Sequence, residues 1–235
     1  MGFVHWPTFY FTFIVCGFLL YIIIFVRLKT SEKKTCHDAT MNDIISRGRN
    51  GDIVAVAYGS KRAKLVKVFT GSRWTHCGFI RRDSITSQIS IIEMAHYSKE
   101  QDGVIITPLA DWLYKHRWCI VAWRPLRSDI TPPTTAVLDA FAKSHSCAKA
   151  DMNVFSWAKT LRRLPYRVRT PKEKYYCSEF VMRFLQETRV IECRYNPASY
   201  KPWELVYGDL KSQIHTKDLR CVYDNARIVD LPLST

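Results

Sequence analysis

One stretch holds a side chain able to attack a carbonyl carbon: Tyr175-Tyr176-Cys177-Ser178-Glu179-Phe180-Val181. Behind the cysteine, Phe180, Val181, Phe184 and Leu185 recur at helical spacing, so a helix with Cys177 at its N-terminus is expected. Unpaired N–H groups and the helix dipole favour an anion there, which for cysteine is the nucleophilic thiolate. Taken alone, Cys177 also fits an ordinary buried cysteine, one of the most buried residue types. A nucleophile needs a base within reach, and the base needs a partner that holds its tautomer.

The sequence has seven histidines. His5 precedes an apolar run, and His37 lies in a polar connector. His96 and His116 fall in polar loops, His145 ends a helix and His215 is in the tail. Only His76 stands at the mouth of an apolar strand, Trp74-Thr75-His76-Cys77-Gly78-Phe79-Ile80, beside a glycine that allows close approach. The matching carboxylate is Glu93, set among Ile91, Ile92 and Met94. Burial of such an acid is costly unless it is paired, and His76 on a neighbouring strand would pair it. Glu93 alone would equally suit any of the many arginines.

These groups need elements to hold them. Gly51-Asp52 signals a turn before a first strand at Ile53-Val54-Ala55-Val56. Ser60 is placed to cap a short helix running to Phe69. Further strands are expected at 74–80, 89–94, 103–107 and 118–123, with Pro108 opening a short helix through Tyr114. Helices are expected over 134–144 and 155–164, then the Cys177 helix. The tail from Tyr195 reads as aromatic and loop-rich, with a strand at 227–231. Strands in the middle flanked by helices make an α+β domain with a central antiparallel sheet.

Four motifs in order carry a family resemblance: Phe69-Thr70-Gly71-Ser72-x-Trp74-Thr75-His76-x-Gly78, Ile91-Ile92-Glu93, Gly103-Val104-x-Ile106-Thr107-Pro108-Leu109, and Tyr176-Cys177-Ser178-Glu179-Phe180-Val181. Together they resemble the circularly permuted branch of the NlpC/p-sixty superfamily. That branch includes bacterial and poxviral proteins and is related to the lecithin:retinol acyltransferase group. The histidine precedes the cysteine in the chain, the reverse of papain. The resemblance spans Gly51 to about Glu187. It implies a papain-like fold in which Cys177 is the nucleophile, His76 the base and Glu93 the orienting group. It also implies an oxyanion hole built partly from the Cys177 N–H, and acyl transfer from an amide, ester or thioester. Cys77 departs from the family pattern, which often has an aliphatic residue there. Trp74 and Tyr176 are read as substrate-contacting, although core packing is the plainer account of each.

The residues before this domain are different in kind. Phe9 to Val26 carries no charge, and at 1.5 Å per residue it reaches roughly 27 Å, close to the hydrocarbon thickness of a bilayer. The start lacks the basic residues and cleavage motif of a signal peptide. Arg27, Lys29, Lys33 and Lys34 follow the run, which puts the C-terminal domain on the cytoplasmic side. The expected organisation is an anchor over 1–28, a polar connector over 29–50 and the catalytic-type domain over 51–235.

The formal net charge of +14 implies an anionic neighbour. An anionic lipid surface is favoured over nucleic acid, because the basic residues are scattered and no nucleic-acid motif is present. Arg162, Arg163, Arg167 and Arg169 form a solvated face or a patch toward phospholipid. Eight cysteines at irregular spacings, with no Cys-x-x-Cys, argue against a zinc module and a disulfide framework. No metal and no cofactor are expected. The expected function is a membrane-anchored thiol hydrolase or acyltransferase. The alternative is a non-catalytic membrane or virion component that keeps the fold as a scaffold.

Overall fold

The strand that carries Glu93 is covered on both faces, because Ile91, Ile92 and Met94 are all at most 1% exposed. It belongs to a seven-stranded sheet in a computed structural model that describes residues 39–60, 63, 64, 66, 67, 72–153, 173–191, 196–207 and 223–231, together with Gly17. The strands are β1 (Ala39–Thr40), β2 (Ile53–Ala57), β3 (His76–Arg82), β4 (Ile89–His96), β5 (Asp102–Pro108), β6 (Ile120–Arg124) and, last in the chain, β9 (Arg227–Asp230). Two short strands, β7 (Lys149–Ala150) and β8 (Lys174–Tyr175), pair parallel in a sheet of their own. The large sheet runs β1-β9-β6-β2-β3-β4-β5, antiparallel throughout except where β1 meets β9.

Among the described residues it is flanked by helices α1 (Met41–Arg47), α2 (Leu109–Lys115), α3 (Thr135–Ser144), α4 (Cys177–Glu187) and α5 (Pro202–Tyr207). Strand alternation sorts the core into two layers. Ile53, Ala55, Cys77, Phe79, Ile92 and Met94 pack with α3, α4 and α5. Val54, Val56, Ile80, Ile91 and Trp123 pack with α1 and α2. The domain is therefore α+β, with a mostly antiparallel sheet between helices on both faces. This also explains why its inner strands read as unbroken apolar runs.

The two layers place the chemistry. Phe79 of β3 stacks on Phe184 of α4 with ring centroids 4.0 Å apart and planes 7° apart, and it also meets Phe180 at 5.9 Å. Full burial of such a ring contributes roughly 2–3 kcal/mol. These contacts fix α4 against β3, so the start of the helix lies beside the start of the strand. On the strand, Gly78 pairs with Glu93. A Cβ at Gly78 would stand 2.8 Å from the Ile92 carbonyl oxygen and 3.1 Å from Glu93 Cβ, so only glycine lets β3 and β4 approach this closely.

Several boundaries differ from expectation. Strand β6 begins at Ile120 rather than Trp118, because Cys119 N–H closes a turn onto the His116 carbonyl. Trp118 is left 71% exposed. The tail holds a 3-10 turn at Pro197–Ser199 and the helix α5, and the connector contributes β1 to the sheet edge. Ser60 Oγ accepts from the Ala63 N–H, as a cap should. The expected helix over 155–164, the arginines from 162 to 169 and the apolar run 9–26, apart from Gly17, lie outside the described residues. Among the described residues, no helix is long and apolar enough to cross a membrane.

Candidate active site

Cys177 is the first residue of α4. Helix geometry leaves its N–H without an intrahelical acceptor, and the preceding Tyr176 caps no N–H with its side chain. The sulfur meets two residues of β3. The Cys77 side chain and backbone and the His76 ring all favour its charged form. His76 Nε2 lies 2.7 Å from Glu93 Oε2, which leaves Nδ1 for the sulfur. His76 and Glu93 are buried, whereas Cys177 keeps partial exposure. The three residues expected to act together are thus brought together, with the carboxylate on the strand next to the histidine, as its burial demanded.

Glu93 has two further donors. Trp112 Nε1–H donates to Oε2 at 2.9 Å, and the Tyr97 hydroxyl donates to Oε1 at 2.6 Å. A fully buried carboxylate would resist ionising. Here burial pushes its pKa up, but the His76 pairing and these two bonds outweigh it and the net shift is downward.

The same balance holds at the other two groups. Burial works against a charge on His76, yet hydrogen bonds to Cys177 and Glu93 and their negative charges raise its pKa to about 10. The Cys77 hydrogen bond lowers the Cys177 pKa well below the ordinary 9.0; burial opposes it, and His76 adds to the lowering. Burial holds the Cys77 thiol protonated, and the neighbouring sulfur reinforces this. These directions favour a thiolate on Cys177, an imidazolium on His76 and a protonated Cys77.

Cys177 and His76 open onto a cavity of about 460 Å³. Its wall is largely apolar or aromatic and includes Tyr58, Met94, Ala95, Met152, Tyr175 and Tyr176. Tyr176 thus lines the cavity. Trp74 does not: it is fully buried, packs its ring 5.9 Å from that of Tyr207 and is absent from the cavity wall. It precedes β3, so strand parity with His76 does not set its direction.

His116, expected in a polar loop, is 2% exposed and lines the cavity. It caps the end of α2, edge-on to Trp112 with ring centroids 4.5 Å apart, and burial lowers its pKa to about 4. Neutral His116, Tyr97 and Trp112 form a polar bracket behind Glu93. The sequence offered only one clue to it, the polar residues that follow two apolar segments.

Comparison with protein-family models gives no match, and no curated protein matches. Among solved structures, the chain is similar to one described as the metalloprotein yiiX from Escherichia coli O157:H7. The two are 22% identical with a TM-score of 0.42, over 61% of this chain and 69% of that one. A likeness this low carries no argument about fold or function. Among the described residues, no group of three or more His, Cys, Asp or Glu is placed to hold a metal ion.

Proposed function

We propose that the chain is a thiol hydrolase or acyltransferase of the circularly permuted papain-like kind, held at a membrane by residues 9–26. The observation that carries this reading is the His76–Glu93 pair at 2.7 Å, with His76 and Cys177 lining one cavity large enough for an acyl group. The order of elements agrees with a permutation, since the strands bearing His76 and Glu93 precede the helix bearing Cys177.

The chemistry follows from the protonation states. The Cys177 thiolate attacks the carbonyl carbon of an amide, ester or thioester, and the carbonyl π pair moves to oxygen. The Cys177 N–H at the head of α4 donates to that oxyanion. The tetrahedral intermediate collapses, the bond to the leaving group breaks, and the His76 imidazolium gives the leaving atom its proton. The now neutral His76 takes a proton from water or from an acceptor hydroxyl or amine as it attacks the acyl-enzyme. Collapse of this second intermediate frees the product and restores the ion pair. Glu93 stays ionised and holds the ring through Nε2. Proton transfer of this kind is worth about 10²–10⁴-fold.

The test uses the full chain in detergent with p-nitrophenyl esters of graded acyl length. Nitrophenol release, together with an acyl adduct on the Cys177 peptide by mass spectrometry, supports the reading. Equal release by the Cys177→Ala variant, or no adduct with any ester, contradicts it and leaves the scaffold alternative standing.

A further inference from the structure

The turn that closes α2 exposes aromatic surface beside the cavity. Tyr114 is 67% exposed and Trp118 71% exposed, while Ile120, at the start of β6, is 40% exposed. Burying such rings is the usual solution for a protein in water, and nothing among the described residues covers them. They are interleaved with cations. The Arg117 guanidinium carbon lies 4.1 Å from the Tyr114 ring centroid and 5.5 Å from that of Trp118. Lys115 Nζ stands 2.9 Å from the Tyr97 ring centroid. Asp111 is the only carboxylate on α2.

This turn borders the site. Lys115 and His116 line the cavity that contains Cys177, and Tyr114 and Trp118 flank them in the chain. Tyr97, under Lys115, is the residue that donates to Glu93.

We infer that the segment Tyr114–Trp118 is an interfacial docking element that sets the mouth of the cavity against an anionic phospholipid bilayer. Tyr and Trp have an apolar body and a polar tip and favour the headgroup level, and Lys and Arg beside them are attracted to anionic lipid. Charge complementarity selects this occupant: the turn contributes two cations, and the whole chain carries +14. The chain from Val26 to Ala39 spans at most about 45 Å when fully extended, which keeps the domain close to the anchoring bilayer. That clause rests on the anchoring of 9–26. Docking would bring the sulfur of Cys177 within reach of acyl groups in the lipid phase.

The test places the full chain in nanodiscs of pure phosphatidylcholine and of phosphatidylcholine with about 30% phosphatidylserine, the lipids carrying brominated chains. The expected result is fluorescence quenching assignable to Trp118, as the difference between wild type and Trp118→Phe, at least twofold larger in the anionic discs. Amide exchange over 114–118 should slow about fivefold or more there, and that protection should be lost in the double variant Lys115→Ala/Arg117→Ala. Amide exchange over 9–26 is read in the same samples. Protection of 9–26 in both discs with no Trp118 difference overturns the docking element and leaves the anchor intact. Free exchange of 9–26 with the Trp118 difference present removes the anchor and supports the docking. Protection of 114–118 in detergent that rises with protein concentration assigns the surface to a second copy of this chain and overturns the lipid assignment.

Discussion

Cys77 of β3 packs in the same core layer as Cys177, a hundred positions later in the chain, and its side chain lowers the pKa of the Cys177 sulfur. Its place is under the first turn of α4, while His76 approaches from the strand residue next door. Both neighbours thus favour the charged form of the Cys177 sulfur. Cys77 is the position where the sequence departs from its family resemblance, and this role gives the departure a physical meaning. Replacing it by alanine should raise the Cys177 pKa, because a group that favours the thiolate is removed. Thiolate absorbance near 240 nm, titrated in wild type and Cys77→Ala, measures the shift. An unchanged titration would remove Cys77 from the account.

Trp112 makes a second prediction. Its N–H is one of three donors to Glu93, so Trp112→Phe keeps the ring and deletes one bond to a buried carboxylate. We expect a stability loss of about 1.5–3 kcal/mol and roughly a tenfold fall in kcat with KM little changed. Tyr97→Phe should behave similarly. The kinetic split is the informative part, because a purely structural tryptophan would lower stability and leave the kcat of the folded fraction intact.

Stability against pH follows from the ion pair. The His76 pKa is raised from 6.5 to about 10, so its contribution is full below 6.5 and is lost as pH rises through 10. The Cys177 pKa is depressed from 9.0, so its contribution is present above 9.0 and is lost as pH falls through the folded value. Between these reference values the folded pair and the unfolded pair each hold one proton, folded on the ring and unfolded on the sulfur. The pair's contribution should therefore be flat from about pH 6.5 to 9, then fall on both sides by up to about 1.4 kcal/mol per pH unit. Urea midpoints of wild type and of Cys177→Ala/His76→Gln, compared across pH, read this directly. A difference that slopes steadily between pH 6.5 and 9 would mean that the folded pair does not hold a single proton there, and would contradict the shifts.

Gly78 offers a test of the strand geometry. Its Cβ would collide with the Ile92 carbonyl oxygen at 2.8 Å, so Gly78→Ala must push β3 and β4 apart where His76 and Glu93 meet. We expect a stability loss of about 1–3 kcal/mol and a fall in the proposed nitrophenyl-ester turnover. Thermal unfolding with parallel rate measurements checks both.

What the sequence made legible was what periodicity and burial cost can encode. Phe180, Val181, Phe184 and Leu185 announced α4 and put Cys177 at its head. Glu93 among isoleucines demanded a partner, and the strand containing His76 supplied one. Trp112, Tyr97 and His116 were not legible, because a side-chain donor reaching a carboxylate from a helix or a bend leaves no periodic trace. The helix α5 was missed because six residues are too few to show a period, and Trp118 was misplaced because an apolar residue in a turn looks like the start of the strand behind it. Trp74 was misdirected because alternation constrains a residue only within the strand.

The central claim is that the Cys177 sulfur is ionised at neutral pH because His76 and Cys77 stabilise the thiolate. Its most direct test is the rate of iodoacetamide alkylation of the Cys177 peptide against pH, in the full chain and in His76→Gln. The account predicts a midpoint well below the ordinary 9.0 in wild type and a shift toward 9.0 in the variant. A wild-type midpoint at or above 9.0, or one that His76→Gln leaves in place, would contradict it.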